Sequence, residues 1–242
     1  MMHSPLEQFN VKPLINLEAL GHNISFTNSS LVMVIVSLFI ASLLWAATRK
    51  INPHPSRMQA FGEMSYNFIV DMVNSTAGPE AKRFIPLIFT LFMFILGCNI
   101  AGMIPYSFTV TSHIIVTFAL AIVLFVGIIV VGLVRHGLHF FSLFFPKGVP
   151  LVLMPLLIVI ELISFLARPF TLGIRLAANM MAGHIALKIF AGFTLMGGLL
   201  IGPFPFMLLV LMTGFELFVA ILQAYIFTIL TCVYLTDAIK LH

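Results

Sequence analysis

Residues 151–193 read LVLMPLLIVIELISFLARPFTLGIRLAANMMAGHIALKIFAGF. The stretch is apolar and helix-compatible almost throughout, with only Pro155 and Pro169 as breakers. After Gly197-Gly198 and a turn around Pro203 and Pro205, a second apolar run extends from Phe206 to Leu235. A helix rises 1.5 Å per residue, so roughly 30 residues span about 45 Å. The hydrocarbon core of a bilayer is only about 30 Å thick. Helices of this length must tilt steeply, bend, or run partly along the membrane. The reading is therefore a long, steeply tilted helical hairpin over 151–195 and 206–235.

The rest of the chain agrees. Hydrophobic residues make up 61% of the 242 residues and charged residues 8%, with a mean hydropathy of +1.14. A soluble domain carries about 25% charged residues, so this chain has too little polar surface to cover a water-facing globule. The expected fold is an all-α membrane protein, read as a single membrane domain over 1–242, with five transmembrane helices and one amphipathic interfacial helix. The other spans fall at 31–47, 84–103 and 114–133. The first is closed by Arg49 and Lys50, with Trp45 near its end, where aromatic belts sit.

Between the first two spans, Pro53 and Pro55 open a segment of different character. Met58, Phe61, Met64, Phe68 and Met72 recur at steps of three and four, while Glu63, Asn67, Asp71 and Asn74 fall on other faces. This pattern predicts an interfacial helix over 55–77, ended by Gly78-Pro79. Residues 1–29 read as a mixed interfacial segment without the basic-then-apolar pattern of a cleavable signal.

The net charge of +4 reflects loop placement and does not point to nucleic acid. Positive charge gathers in residues 49–83, in the loop that holds Arg135, His136, His139 and Lys147 together with Pro146 and Pro150, and at Lys240. The loops at 104–113 and 196–205 carry neither lysine nor arginine. The positive-inside rule then sets the N-terminus outside and the C-terminus inside. His136 and His139 read as loop residues. Cys98 and Cys232 lie within apolar runs and read as small buried hydrophobes. No phosphate-binding loop, nucleophile elbow, zinc spacing or dinucleotide fingerprint is present. No cofactor or metal is expected, and the chain should not make or hydrolyse ATP by itself.

An ionisable group at mid-bilayer costs at least about 2.5–3.5 kcal/mol on insertion scales and so marks function. The first arm of the hairpin carries Glu161, Arg168, Arg175, His184 and Lys188; the second carries Glu216 and Gln223. Glu161, Arg168 and Arg175 follow one another at intervals of seven, close to two helical turns, so they share one stripe. Asn179 extends it. Gly173, Ala177, Ala178, Ala182 and Gly183 are small enough to let another helix approach. Folding the arms antiparallel brings the region of His184 towards that of Glu216. Arginine cannot release its proton, so Arg175 reads as a fixed positive charge favouring a nearby carboxylate. Glutamate and histidine titrate and are relay groups. A permanent cation between two titratable groups suits a proton path divided by a charge barrier. Bland readings stand beside these: Arg168 as a structural partner of Glu161, Lys188 as an interface marker, and Asn179 and Gln223 as interhelical hydrogen-bond glue.

Two stretches carry a resemblance. The run RPFTLGIRLAANMMAGH, residues 168–184, resembles the signature of subunit a of the rotary F-type ATP synthase. The run QAYIFTILTCVYL, residues 223–235, is similar to that family's final helix. Asn99 with Pro105, and the stretch 106–118, also resemble it, so the likeness covers nearly the whole chain. It implies a stator subunit seated against a ring of c subunits, each bearing a membrane-embedded carboxylate. It also implies subunit b of the peripheral stalk and the other synthase subunits as partners. Protons would be the cargo, in a bacterial or mitochondrial inner membrane. Arg175 matches the essential arginine that faces the ring carboxylate. Asn179, His184, Glu216 and Gln223 match positions of the outer half-channel, and Glu161 and Ser164 those of the inner one. Arg168 and Asn99 are supporting candidates. Many bacterial relatives carry glutamate and histidine exchanged between the positions of His184 and Glu216; the order here is that of mitochondrial and many α-proteobacterial members.

Two other classes of protein compete with this reading. A proton-coupled secondary transporter predicts inverted repeats and paired broken helices, and the sequence shows no such duplication. A structural or assembly protein leaves the seven-residue stripe unexplained.

Overall fold

The computed structural model describes residues 13–15, 18–19, 22–23, 25–49, 55–104, 107–144 and 154–240. Lys50, Pro53, Pro105, Tyr106, Pro146, Lys147 and Pro150 lie outside the described residues.

Six long helices account for most of them: α1 (Asn28–Thr48), α2 (Arg57–Thr76), α3 (Ile85–Met103), α4 (Ile114–His136), α5 (Met154–Ile201) and α6 (Pro203–Ile239). Five stretches are long and apolar enough to cross a membrane: α1, α3 with the 3-10 turn that precedes it, α4, α5 and α6. The chain is an all-α multi-pass membrane protein. Ahead of α1, Pro13–Ile15 pairs antiparallel with Phe26–Thr27, and Glu18–Ala19 with His22–Asn23. The described part of the segment read as mixed and interfacial thus holds two short ladders. They are too short for the two-residue alternation of a strand to show in the sequence.

Local chemistry explains the ends. Thr27 caps α1 by accepting from the Ser30 amide, and Ser56 caps α2 by accepting from that of Gln59, each satisfying an orphan donor of the first turn. Gly78, at φ 77°, turns the chain out of α2 in a conformation that an L side chain resists. On α2, Ile69 and Val73 are fully buried, Phe61, Met64 and Phe68 stay open on one flank, and Glu63, Asn67, Asp71 and Asn74 lie exposed on another. That division fits a helix at an interface.

The first arm, Met154–Gly198, has the expected length, while the second, α6, runs beyond the expected 206–235 at both ends. At 1.5 Å per residue the 45 residues of Met154–Gly198 extend about 65 Å, and the 37 of α6 about 55 Å. Both far exceed the bilayer core, so both must lie well away from its normal. Pro169 does not interrupt α5, although it removes one backbone donor. The reversal is narrower than the expected 197–205 turn. It centres on Gly198 at φ 57°, and α6 starts at Pro203, with Pro205 within its first turn. Proline at the first helical positions loses nothing, because those amides have no helical partner.

α3, the most enclosed span, packs against α6, and α4 packs against α5. Ile88 and Ile95 of α3, Leu176 and Met180 of α5, and Ala220, Ala224 and Phe227 of α6 are at most 1% exposed. In lipid such packing rests on close van der Waals fit. At Gly173 a Cβ would stand 2.9 Å from the Phe118 backbone, so only glycine lets α5 approach α4 this closely.

At one end, Glu80 pairs with Arg135, joining the turn before α3 to the end of α4. His136 Nε2 lies 3.0 Å from the Ile239 carbonyl, joining α4 to the end of α6. His136 is therefore the last residue of a helix and an interhelical contact, where the sequence suggested a loop.

Candidate functional site

Three zones follow one another along the hairpin. The first gathers Asn179, His184, Glu216 and Gln223. His184 Nδ1 lies 3.7 Å from Glu216 Oε1 across the two arms. Asn179 Nδ2 donates to Gln223 Oε1 at 3.1 Å. Glu216 is 4% exposed and Gln223 2%, and neither Glu216 oxygen has a hydrogen-bond partner among the described residues. Buried polar atoms without partners are rare and call for an explanation. Gly183 makes room for this carboxylate, since a Cβ there would stand 2.6 Å from Glu216 Oε1. Asn99 is fully buried and donates to the Ala220 carbonyl at 2.9 Å. It ties α3 to the helix that carries Glu216 and Gln223.

The second zone is one face of α5. Ser164, Thr171, Arg175, Ala178, Asn179 and Ala182 are all exposed, and at 100° per residue they fall on a single stripe. The small residues named in the sequence thus divide between two uses. Gly173, Ala177 and Gly183 pack inward, while Ala178 and Ala182 lie open beside Arg175. Among the described residues none forms an ion pair or hydrogen bond with the Arg175 guanidinium.

The third zone lies two turns before Arg175. Arg168 Nη1 donates to Asp237 Oδ2 at 2.9 Å, while Glu161 is only at the edge of ion-pair range, 4.0 Å from Nη2. Phe165 and Tyr234 hold the same guanidinium over their rings, at 5.5 and 4.9 Å. The expected pairing of Arg168 with Glu161 is thus secondary. Asp237 escaped the sequence reading because it sits at the far end of the last helix. The available signal was that it is the next acidic residue after Glu216. Ser164 and Glu161 stay on the open face, the latter with a side chain 39% exposed.

The arrangement is two polar clusters joined by an open stripe with an unpartnered arginine between them. By helical rise, Arg175 is about 13 Å from His184 and about 21 Å from Glu161.

A family model described as ATP synthase A chain matches residues 30–236. The chain belongs to that family. Along 241 residues it is 50% identical to the ATP synthase subunit a of Rhodospirillum rubrum, with 100% of each chain covered. The family is that of the proton-translocating membrane subunit of the F-type ATP synthase, and this chain is of the α-proteobacterial type. It is no enzyme by itself and works with the other synthase subunits. The resemblance drawn from residues 168–184 and 223–235 is thereby established at family level, and the transporter and assembly readings fall away.

Proposed function

We propose that the hairpin provides two offset half-channels to a ring of c subunits, and that Arg175 is the charge separating them. The outer half-channel runs through Asn179, His184, Glu216 and Gln223; the inner one opens past Glu161 and Ser164. The observation that carries this reading is Arg175 itself. A permanent cation exposed on an apolar helix, with no partner among the described residues, is costly in a bilayer unless an anion from elsewhere meets it. A carboxylate on a neighbouring, moving subunit answers that need. Arg175 would favour its ionised form, and since arginine stays protonated and cannot relay a proton, protons must leave by one side and enter by the other. Ala178 and Ala182 leave the space for close approach.

The membrane would be the inner membrane of a bacterium or mitochondrion, with the N-terminus outside and the C-terminus in the cytoplasm or matrix. Lys82, Arg83, Arg135 and Lys240 support this, because they belong to the same end of the bundle that the Glu80–Arg135 and His136–Ile239 contacts join. The c ring and subunit b of the peripheral stalk are the proposed neighbours.

Cysteine cross-linking in the assembled synthase tests the face. Ala178→Cys and Ser164→Cys should link to cysteines on the outer helix of a c subunit, and Val123→Cys, exposed on α4, should not. The reverse pattern would overturn the placement.

A further inference from the structure

The connection between α3 and α4 dips back into the protein instead of staying at its surface. Thr109, Val110, Thr111 and Ser112 are at most 5% exposed, and the short 3-10 turn Val110–Ser112 packs against α5. Ser112 Oγ donates to the Thr109 carbonyl at 2.7 Å, fixing the turn. Gly102 admits the threonine, because a Cβ at 102 would stand 2.7 Å from Thr109 Cγ2. The Thr109 hydroxyl lies 3.4 Å from the Gly102 carbonyl and 3.0 Å from His184 Nε2.

A hydroxyl has one proton to give and lone pairs to receive. The Gly102 carbonyl can only accept, so the Thr109 proton goes there. The hydroxyl oxygen then accepts the proton on His184 Nε2. The hydrogen bond at one imidazole nitrogen sets the state of the other. With Nε2 carrying a proton, the neutral ring presents the Nδ1 lone pair, and Nδ1 is the nitrogen 3.7 Å from Glu216 Oε1.

We infer that Thr109 is a positioning residue of the outer half-channel, holding His184 as the Nε2–H tautomer so that Nδ1 exchanges protons with Glu216. The inference rests on the half-channel reading above. In the exchange, a proton moves from the Glu216 carboxyl to Nδ1, leaving a carboxylate beside an imidazolium, and the reverse step regenerates both neutral groups. Thr109 itself gives up no proton. Without it the ring loses the acceptor that keeps Nε2 protonated, and part of the population then presents the wrong atom to Glu216.

The test compares Thr109→Val, Thr109→Ser and Glu216→Gln in the whole synthase, in inverted membrane vesicles with the amount of assembled complex measured. T109V keeps the shape and removes the hydroxyl. Its passive proton flux should fall roughly fivefold or more, the rate equivalent of one hydrogen bond, while T109S keeps most of the flux. Equal losses in T109V and T109S would show that the methyl and its packing matter, and would overturn the inference. Normal flux in T109V beside slowed flux in E216Q would overturn it and leave the half-channel standing. Normal flux in E216Q would overturn the half-channel reading itself. Should T109V fail to accumulate, Thr109→Ala set against Thr109→Ser makes the same comparison.

Discussion

Arg168 is held by Asp237 at 2.9 Å across the hairpin, whereas Arg175, two turns further along the same stripe, has no partner among the described residues. Two arginines of one heptad-like series thus have opposite situations. The first is neutralised within the chain and clasped by Phe165 and Tyr234. The second projects its charge outward. Spacing alone treats the two alike, and the contrast supports the role proposed for Arg175.

Arg175→Ala should abolish proton-driven ATP synthesis while the complex assembles at near-normal amounts, since the exposed side chain makes no ion pair or hydrogen bond among the described residues. Synthesis in reconstituted vesicles under an imposed proton gradient measures the first, and native gel electrophoresis of the solubilised complex the second. Normal synthesis would sink the proposed role.

Asp237→Ala should leave the Arg168 guanidinium, 18% exposed, without its main counter-charge. Losing one partner of a partly buried pair costs roughly 1–3 kcal/mol. The thermal midpoint of the complex should drop measurably, and Asp237→Glu should restore much of it. An unchanged midpoint for Asp237→Ala would show that Glu161 takes over the pairing.

Gly183→Ala places a methyl 2.6 Å from the present position of Glu216 Oε1. The carboxylate must shift, which disturbs its 3.7 Å approach to His184, and passive proton flux should fall by about tenfold or more if the pair carries protons, with assembly retained. Flux measured in membranes stripped of the catalytic sector reads this directly. Wild-type flux would mean that the 3.7 Å approach is not needed.

Asn99→Leu removes the bond to the Ala220 carbonyl and leaves that buried oxygen without its side-chain donor. A cost of roughly 1–3 kcal/mol is expected, seen as faster proteolysis of the subunit in membranes. Resistance equal to the wild type would make the bond dispensable.

The sequence by itself determined the all-α membrane class, the five spans and the seven-residue stripe. Composition and helical periodicity are local properties, and the bilayer converts them directly into helices because every backbone group there must be satisfied within the segment. The signature at residues 168–184 was enough to point to the family. What the tertiary structure decided was pairing. Asp237 reaches Arg168, Thr109 reaches His184 and Asn99 reaches Ala220 only because α3, α5, α6 and the 110–112 turn pack at particular depths, and sequence separation carries no record of depth. It also decided which side of α5 is open. The stripe of Arg175 was legible from spacing, but whether it faced inward or outward depended on how Gly173 and Ala177 let α5 press against its neighbours. That choice is made by packing, and it leaves Arg175 exposed, with its counter-charge to be sought in another subunit.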